Sequence, residues 1–138
     1  MIMELYHSSK AVKLLCSTAK SFPAGIKEAF STLEQHLPSC ETRTWYGVSY
    51  LDDKGTIVYK AAVTELSEIE SEETGFESFT VPPGTYLTET LKDWMKNTQE
   101  MGNIFDRLLA DPRLDTSFPC IEHYKAYDEV VCMIKINT

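Results

Sequence analysis

Pro119-Cys120-Ile121-Glu122-His123-Tyr124-Lys125-Ala126 alternates in character with the two-residue period of a β-strand. The alternation sets Glu122 on one face with Cys120, Tyr124 and Ala126. An ionised carboxylate desolvated without a partner costs several kcal/mol, comparable to the stability margin of a small domain. A buried Glu122 therefore implies a partner, a shifted pKa or a ligand. The alternative is a solvent-facing position opposite a cross-strand lysine such as Lys135, a pair worth a few tenths of a kcal/mol.

Working outward, Val130 to Ile136 pairs with this strand across Tyr127-Asp128-Glu129, and a helix precedes it. Met95, Thr98, Met101, Gly102, Phe105, Leu108 and Leu109 share a helical face that ends before Pro112. Phe76 to Val81 and Tyr86 to Thr90 flank Pro82-Pro83-Gly84 ahead of that helix. The first half shows the same order. Ala11 to Thr18 is strand-like, and Phe22, Ile26, Phe30, Leu33 and Leu37 form a helical stripe with Pro23 in its first turn and Pro38 at its end. Arg43 to Leu51 and Thr56 to Val63 make a hairpin across Asp52 to Gly55.

A shift of 74 positions superposes Pro38 on Pro112, Val48 on Glu122 and Tyr50 on Tyr124, and one more residue brings Phe30 and Leu33 onto Phe105 and Leu108. Two copies cannot form a solenoid, so the expectation is one α+β domain over 1–138 with pseudo-two-fold symmetry. Half-repeats of about 1–65 and 75–138 join through an acidic linker, 66–74, and two helices cover one face of an antiparallel sheet. The superposition places Tyr46, Val48 and Tyr50 on the face equivalent to that of Cys120, Glu122 and Tyr124.

The 138 residues suffice for a core without disulfides or structural metal, and 43% hydrophobic with 25% charged residues is ordinary for a globular protein. A net charge of −8, with no cluster of Lys or Arg, argues against direct nucleic-acid binding. Part of that charge is the run Glu65 to Glu73, read as a solvated segment. Cys16, Cys40, Cys120 and Cys132 form no CxxC pair and the three histidines are scattered, so neither a metal nor a cofactor is expected. Residues 1–10 lack a signal-peptide pattern and no apolar run reaches transmembrane length, so the expectation is a cytoplasmic protein without membrane contact.

The strand interrupted by Pro82-Pro83-Gly84-Thr85-Tyr86, the amphipathic helix ending near Asp111-Pro112, and Ile121-Glu122-His123-Tyr124 with its closing apolar strand resemble the GyrI-like small-molecule-binding domain. That family includes effector-binding domains of multidrug-sensing transcriptional regulators. The resemblance implies a ligand pocket between the halves, with Glu122 facing bound, often cationic, aromatic compounds. Thr90-Leu91-Lys92-Asp93 stands where the family commonly has His-x-Gly. The chain has no room for the regulators' DNA-binding domain, which implies a stand-alone form.

The candidate ligand-binding residues are Glu122, Tyr124, Tyr46, Tyr50, Tyr86, Trp94 and Phe118. Ring faces attract a cation by about 0.5–2 kcal/mol per good contact, and a carboxylate in a dry site adds a larger attraction. Each aromatic taken alone could equally be core packing, and Trp94 could cap the core or the pocket mouth. Three function classes follow. The first is a binding module for a small hydrophobic or cationic aromatic ligand. The second is a hydrolase of reactive electrophiles, with Glu122 as general base and Tyr124, Tyr50 or Tyr86 as donor, which the resemblance also implies. The third is an acidic module contacting a regulator protein.

Overall fold

The computed structural model describes residues 3–137, which form an α+β fold built on one curled, eight-stranded antiparallel sheet. In chain order the strands are β1 Glu4–Ser8, β2 Val12–Thr18, β3 Trp45–Leu51, β4 Ile57–Thr64, β5 Glu77–Val81, β6 Gly84–Lys92, β7 Cys120–Ala126 and β8 Glu129–Lys135. The helices are α1 Ile26–His36, α2 Glu70–Thr74 and α3 Thr98–Leu109. Across the sheet the order is β1-β6-β8-β7-β3-β4-β2-β5. Outward from the central β3–β7 pair, the halves mirror one another: β4 answers β8, β2 answers β6, and β5 answers β1.

Both long helices lie on the same face. Leu15, Tyr59, Ala61 and Val63 on β2 and β4 meet Ala29, Leu33 and Leu37 of α1. On the other half Leu87, Leu91, Val130, Cys132 and Ile134 meet Ile104 and Leu108 of α3. Alternate residues of the same strands, including Leu14, Tyr46, Val48, Ala62, Tyr86, Ile121 and Met133, form a third cluster on the opposite face, where the sheet's curl brings them together.

Several expectations change in detail. α1 begins at Ile26, because the ring of Pro23 disfavours helical backbone at Phe22. Trp94 and Met95 lie in a 3₁₀ turn before α3, and Thr98, Gly102 and Leu109 are exposed; the buried stripe is Ile104 and Leu108 with Met101 and Phe105 beside it. The segment around Pro82-Pro83-Gly84 is not one interrupted strand: β5 pairs with β2 at one edge, whereas β6 pairs with β8 and β1 in the other half. β1, whose short and mostly polar sequence gives little signal, pairs with β6.

The acidic run is more than a solvated segment. It forms α2, capped by Gly75 in the left-handed region, and Glu70 is only 8% exposed. Arg43, 5% exposed, grips that carboxylate with both guanidinium ends, Nη1 standing 2.8 Å from Oε1. The same arginine donates to the carbonyls of Pro38 and Thr64, and the Leu66 N–H adds a third donor to the carboxylate. Among the described residues no helix is long and apolar enough to cross a membrane.

Candidate functional site

β3 and β7 meet at the centre of the sheet, and the register there pairs Gly47 directly with Glu122. On its other side Glu122 pairs with Cys132 of β8. Its side chain rises from the helix-covered face, as do those of Cys120 and Tyr124 on the same strand. Lys135 is engaged elsewhere, beside Tyr86 in the register and 3.5 Å from Asp115, so the surface ion-pair alternative for Glu122 does not hold.

Two phenols hold the carboxylate. The hydroxyls of Tyr59, from β4, and Tyr124 each donate to Glu122 Oε1 at 2.7 Å. Oε2 has no hydrogen-bond partner among the described residues and is not shut off from solvent. Burial pushes the Glu122 carboxyl above its usual range, and the two donated hydrogen bonds oppose that shift without cancelling it. Burial and the charge of Glu122 in turn raise both phenols, so they remain protonated donors. No lysine or arginine perturbs Glu122.

Aromatic rings surround this group. The Tyr124 ring stands edge-on to Phe30 of α1, centroids 6.2 Å apart, and 5.2 Å from Trp94 in the turn before α3. Phe30 also packs 5.6 Å from Trp45, and Phe22 lies 6.0 Å from Tyr59. The rings thus span the seam between α1 and α3 with the carboxylate beneath them. Beyond Phe22 lies a surface hollow of about 330 Å³, lined by Lys20, Thr56 and Val58 among others, which is separate from Glu122.

The structure therefore brings together Glu122, Tyr124 and Trp94 of the expected residues. It does not bring in Tyr46, Tyr50, Tyr86 or Phe118. Tyr46 stacks on His123 at 4.8 Å on the opposite face, Tyr86 and Phe118 pack together there, and Tyr50 lies on that face under Lys60. The cause is register: Val48 faces away from Glu122, and the residue equivalent by face is Gly47, one position off the expected superposition. That extra residue is the same shift that aligned Phe30 and Leu33 with Phe105 and Leu108. His123 points away from Glu122, so the two form no acid–base pair.

Gly47, Tyr59, Phe30 and Trp45 are site residues absent from the expected set, the last two foreseen only as part of a helical stripe and a strand. A Cβ at Gly47 would collide with both the Tyr59 hydroxyl and Glu122 Oε1, so glycine here makes room for the hydrogen bond itself. A glycine inside a strand was the available signal, since it marks close approach to a backbone. Tyr59 carried a fainter one, because it shares the period of Ala61 and Val63.

The remaining polar groups on this face offer little other chemistry. Burial with the nearby charge of Glu122 pushes the Cys120 thiol up to about 11, and burial with Glu122 and Glu89 pushes Cys132 up to about 12, leaving both unreactive as nucleophiles near neutral pH. Glu89, 2% exposed, is paired with Arg107 of α3 at 2.8 Å. No group of three or more His, Cys, Asp or Glu side chains among the described residues could hold a metal ion.

No family model and no curated protein sequence matches the chain. Solved structures do match its fold. An integron cassette protein from the mobile metagenome of Vibrio cholerae aligns over 98% of this chain and 95% of its own, with a TM-score of 0.73 and 13% identity. A Staphylococcus aureus MU50 protein provisionally assigned to transcription regulation aligns over 100% and 99%, with a TM-score of 0.65 and 13% identity. A third, SAV2435 bound to tetraphenylphosphonium, aligns over 99% and 94%, with a TM-score of 0.62 and 12% identity. With its mirrored halves and both long helices on one face of the curled sheet, the chain has a GyrI-like fold.

Proposed function

We propose that this domain is a binding module whose two halves take an aromatic, cationic small molecule in the seam between α1 and α3. The observation that carries the reading is a carboxylate with no cationic partner among the described residues, held by phenols on one oxygen with aromatic rings around it. Glu122 Oε2 would face the ligand's positive charge, while Phe30, Trp45, Trp94 and Tyr124 would supply ring faces and edges. SAV2435, of the same fold, binds a cation of this class. Fold likeness alone supports an effector-sensing role.

The hydrolase reading is weaker on geometry. A raised carboxyl suits a general base, but the Tyr59 and Tyr124 hydroxyls are already spent on Glu122. Tyr50 and Tyr86, the other expected donors, lie across the sheet. The acidic-interaction reading also loses support, since Glu70 of the acidic run is turned inward to Arg43.

Calorimetric titration with tetraphenylphosphonium tests the binding reading. Saturable binding is expected for the wild type, weakened at least about tenfold in Glu122→Gln, because a lost desolvated charge contact is worth more than about 1.4 kcal/mol. Equal affinities would remove Glu122 from the site.

A further inference from the structure

The two oxygens of Glu122 are not equivalent. Oε1 accepts from Tyr59 and from Tyr124, two donors on one oxygen, whereas Oε2 has no partner among the described residues and keeps solvent contact. A proton on this carboxyl therefore sits on Oε2, facing the seam. The groups around it do nothing to keep it ionised beyond those two hydrogen bonds. β4 presents the Tyr59 phenol, β7 presents Tyr124 and Cys120, and β8 presents Cys132, with Glu89 of β6 beyond it already paired to Arg107 of α3. β3 presents Gly47 and Trp45, α1 presents Phe30, and the turn before α3 presents Trp94.

Resting on the binding reading above, we propose that Oε2 is a proton-exchange site: the ligand-free protein holds a neutral acid with its O–H directed into the seam, and a permanent organic cation binds by displacing that proton. In the exchange the Oε2–H bond breaks, its electron pair stays on the carboxylate, and the proton passes to water or buffer. The geometry makes the exchange inexpensive for the scaffold, because the two phenols already point at Oε1 in both forms and nothing has to reorient. The raised carboxyl agrees with it. A neutral ligand bearing a carbonyl acceptor would instead accept the Oε2 proton and bind without releasing it, so protonation selects between two ligand classes at one atom.

Tetraphenylphosphonium is a suitable probe because it has no titratable group of its own. Titrations in paired buffers of different ionisation enthalpy at a series of pH values should show proton release on cation binding that diminishes as pH rises, with affinity rising by up to about tenfold per pH unit wherever release persists. Difference infrared spectra of ligand-free wild type and Glu122→Gln should show a protonated carboxyl that disappears when the cation is added. Binding with no proton release and no pH dependence, or a Glu122 found ionised before ligand is added, overturns the exchange and leaves the binding reading standing. A protonated Glu122 together with no binding of tetraphenylphosphonium overturns the binding reading, and the exchange with it.

Discussion

Glu70 and Glu122, two of the inward-turned carboxylates, are treated in opposite ways. Glu70 meets the two-pronged guanidinium of Arg43 and a backbone N–H, and these donors hold its carboxyl below the usual carboxylate range. Glu122 meets two neutral phenols on one oxygen and, among the described residues, no hydrogen-bond partner on the other, and burial holds it above that range. The first arrangement is complete in itself. It ties α2 to the segment before β3 and leaves no acceptor for a ligand. The second is deficient by one positive charge, and a protein that tolerates such a deficiency beneath a set of aromatic rings has a site that a cation can complete.

Breaking the complete pair gives the largest expected effect. Arg43→Met leaves Glu70 buried against an apolar chain and removes donors from the carbonyls of Pro38 and Thr64, so it should cost about 3–5 kcal/mol in denaturant unfolding at neutral pH. Glu70→Gln, which keeps an acceptor for the guanidinium, should cost less. A change below about 1 kcal/mol for Arg43→Met would mean that the pair is not structural and that the contrast fails. Crowding the deficient site comes next. Gly47→Ala sets a methyl against the Tyr59 hydroxyl and Glu122 Oε1, for an expected loss of about 1–3 kcal/mol together with weakened cation binding, read by thermal melts with and without tetraphenylphosphonium.

The same two places show what could be read in advance. The alternation around Glu122, the apolar stripes of both helices and the duplicated order were enough for an antiparallel sheet with helices on one face, because each depends on local period. The phase between the halves was not. Val48 and Gly47 differ by one residue in register, and in a strand that single step moves every side chain to the other face. Tyr46, Tyr50 and Tyr86 were therefore expected beside Glu122, whereas they lie on the opposite face, Tyr46 and Tyr86 in its core and Tyr50 exposed beside Lys60. Glu70 was hidden for another reason: a charge run is usually solvated, and only the fold reveals that Arg43, 27 positions earlier, turns one of its members inward. β1 was hidden because its partner β6 lies far along the chain, 84 positions apart at Glu4 and Thr88.

The finest test compares how the two carboxylates respond to pH. Glu70 has a folded pKa below its unfolded value, so its contribution is present above the ordinary glutamate pKa of about 4.3 and is lost as pH falls through the folded value. Glu122 has a folded pKa above its unfolded value, so stability is full below about 4.3 and is lost as pH rises through the folded value. Glu122→Gln removes that second loss while leaving an amide oxygen for the two phenols. The variant should match the wild type at acid pH and become the more stable of the two towards neutrality, with the gap no longer growing once the wild-type carboxyl is ionised. A variant less stable than the wild type at neutral pH would mean that the ionised carboxylate is satisfied by its phenols alone, and Glu122 would then belong with Glu70 as a piece of the scaffold.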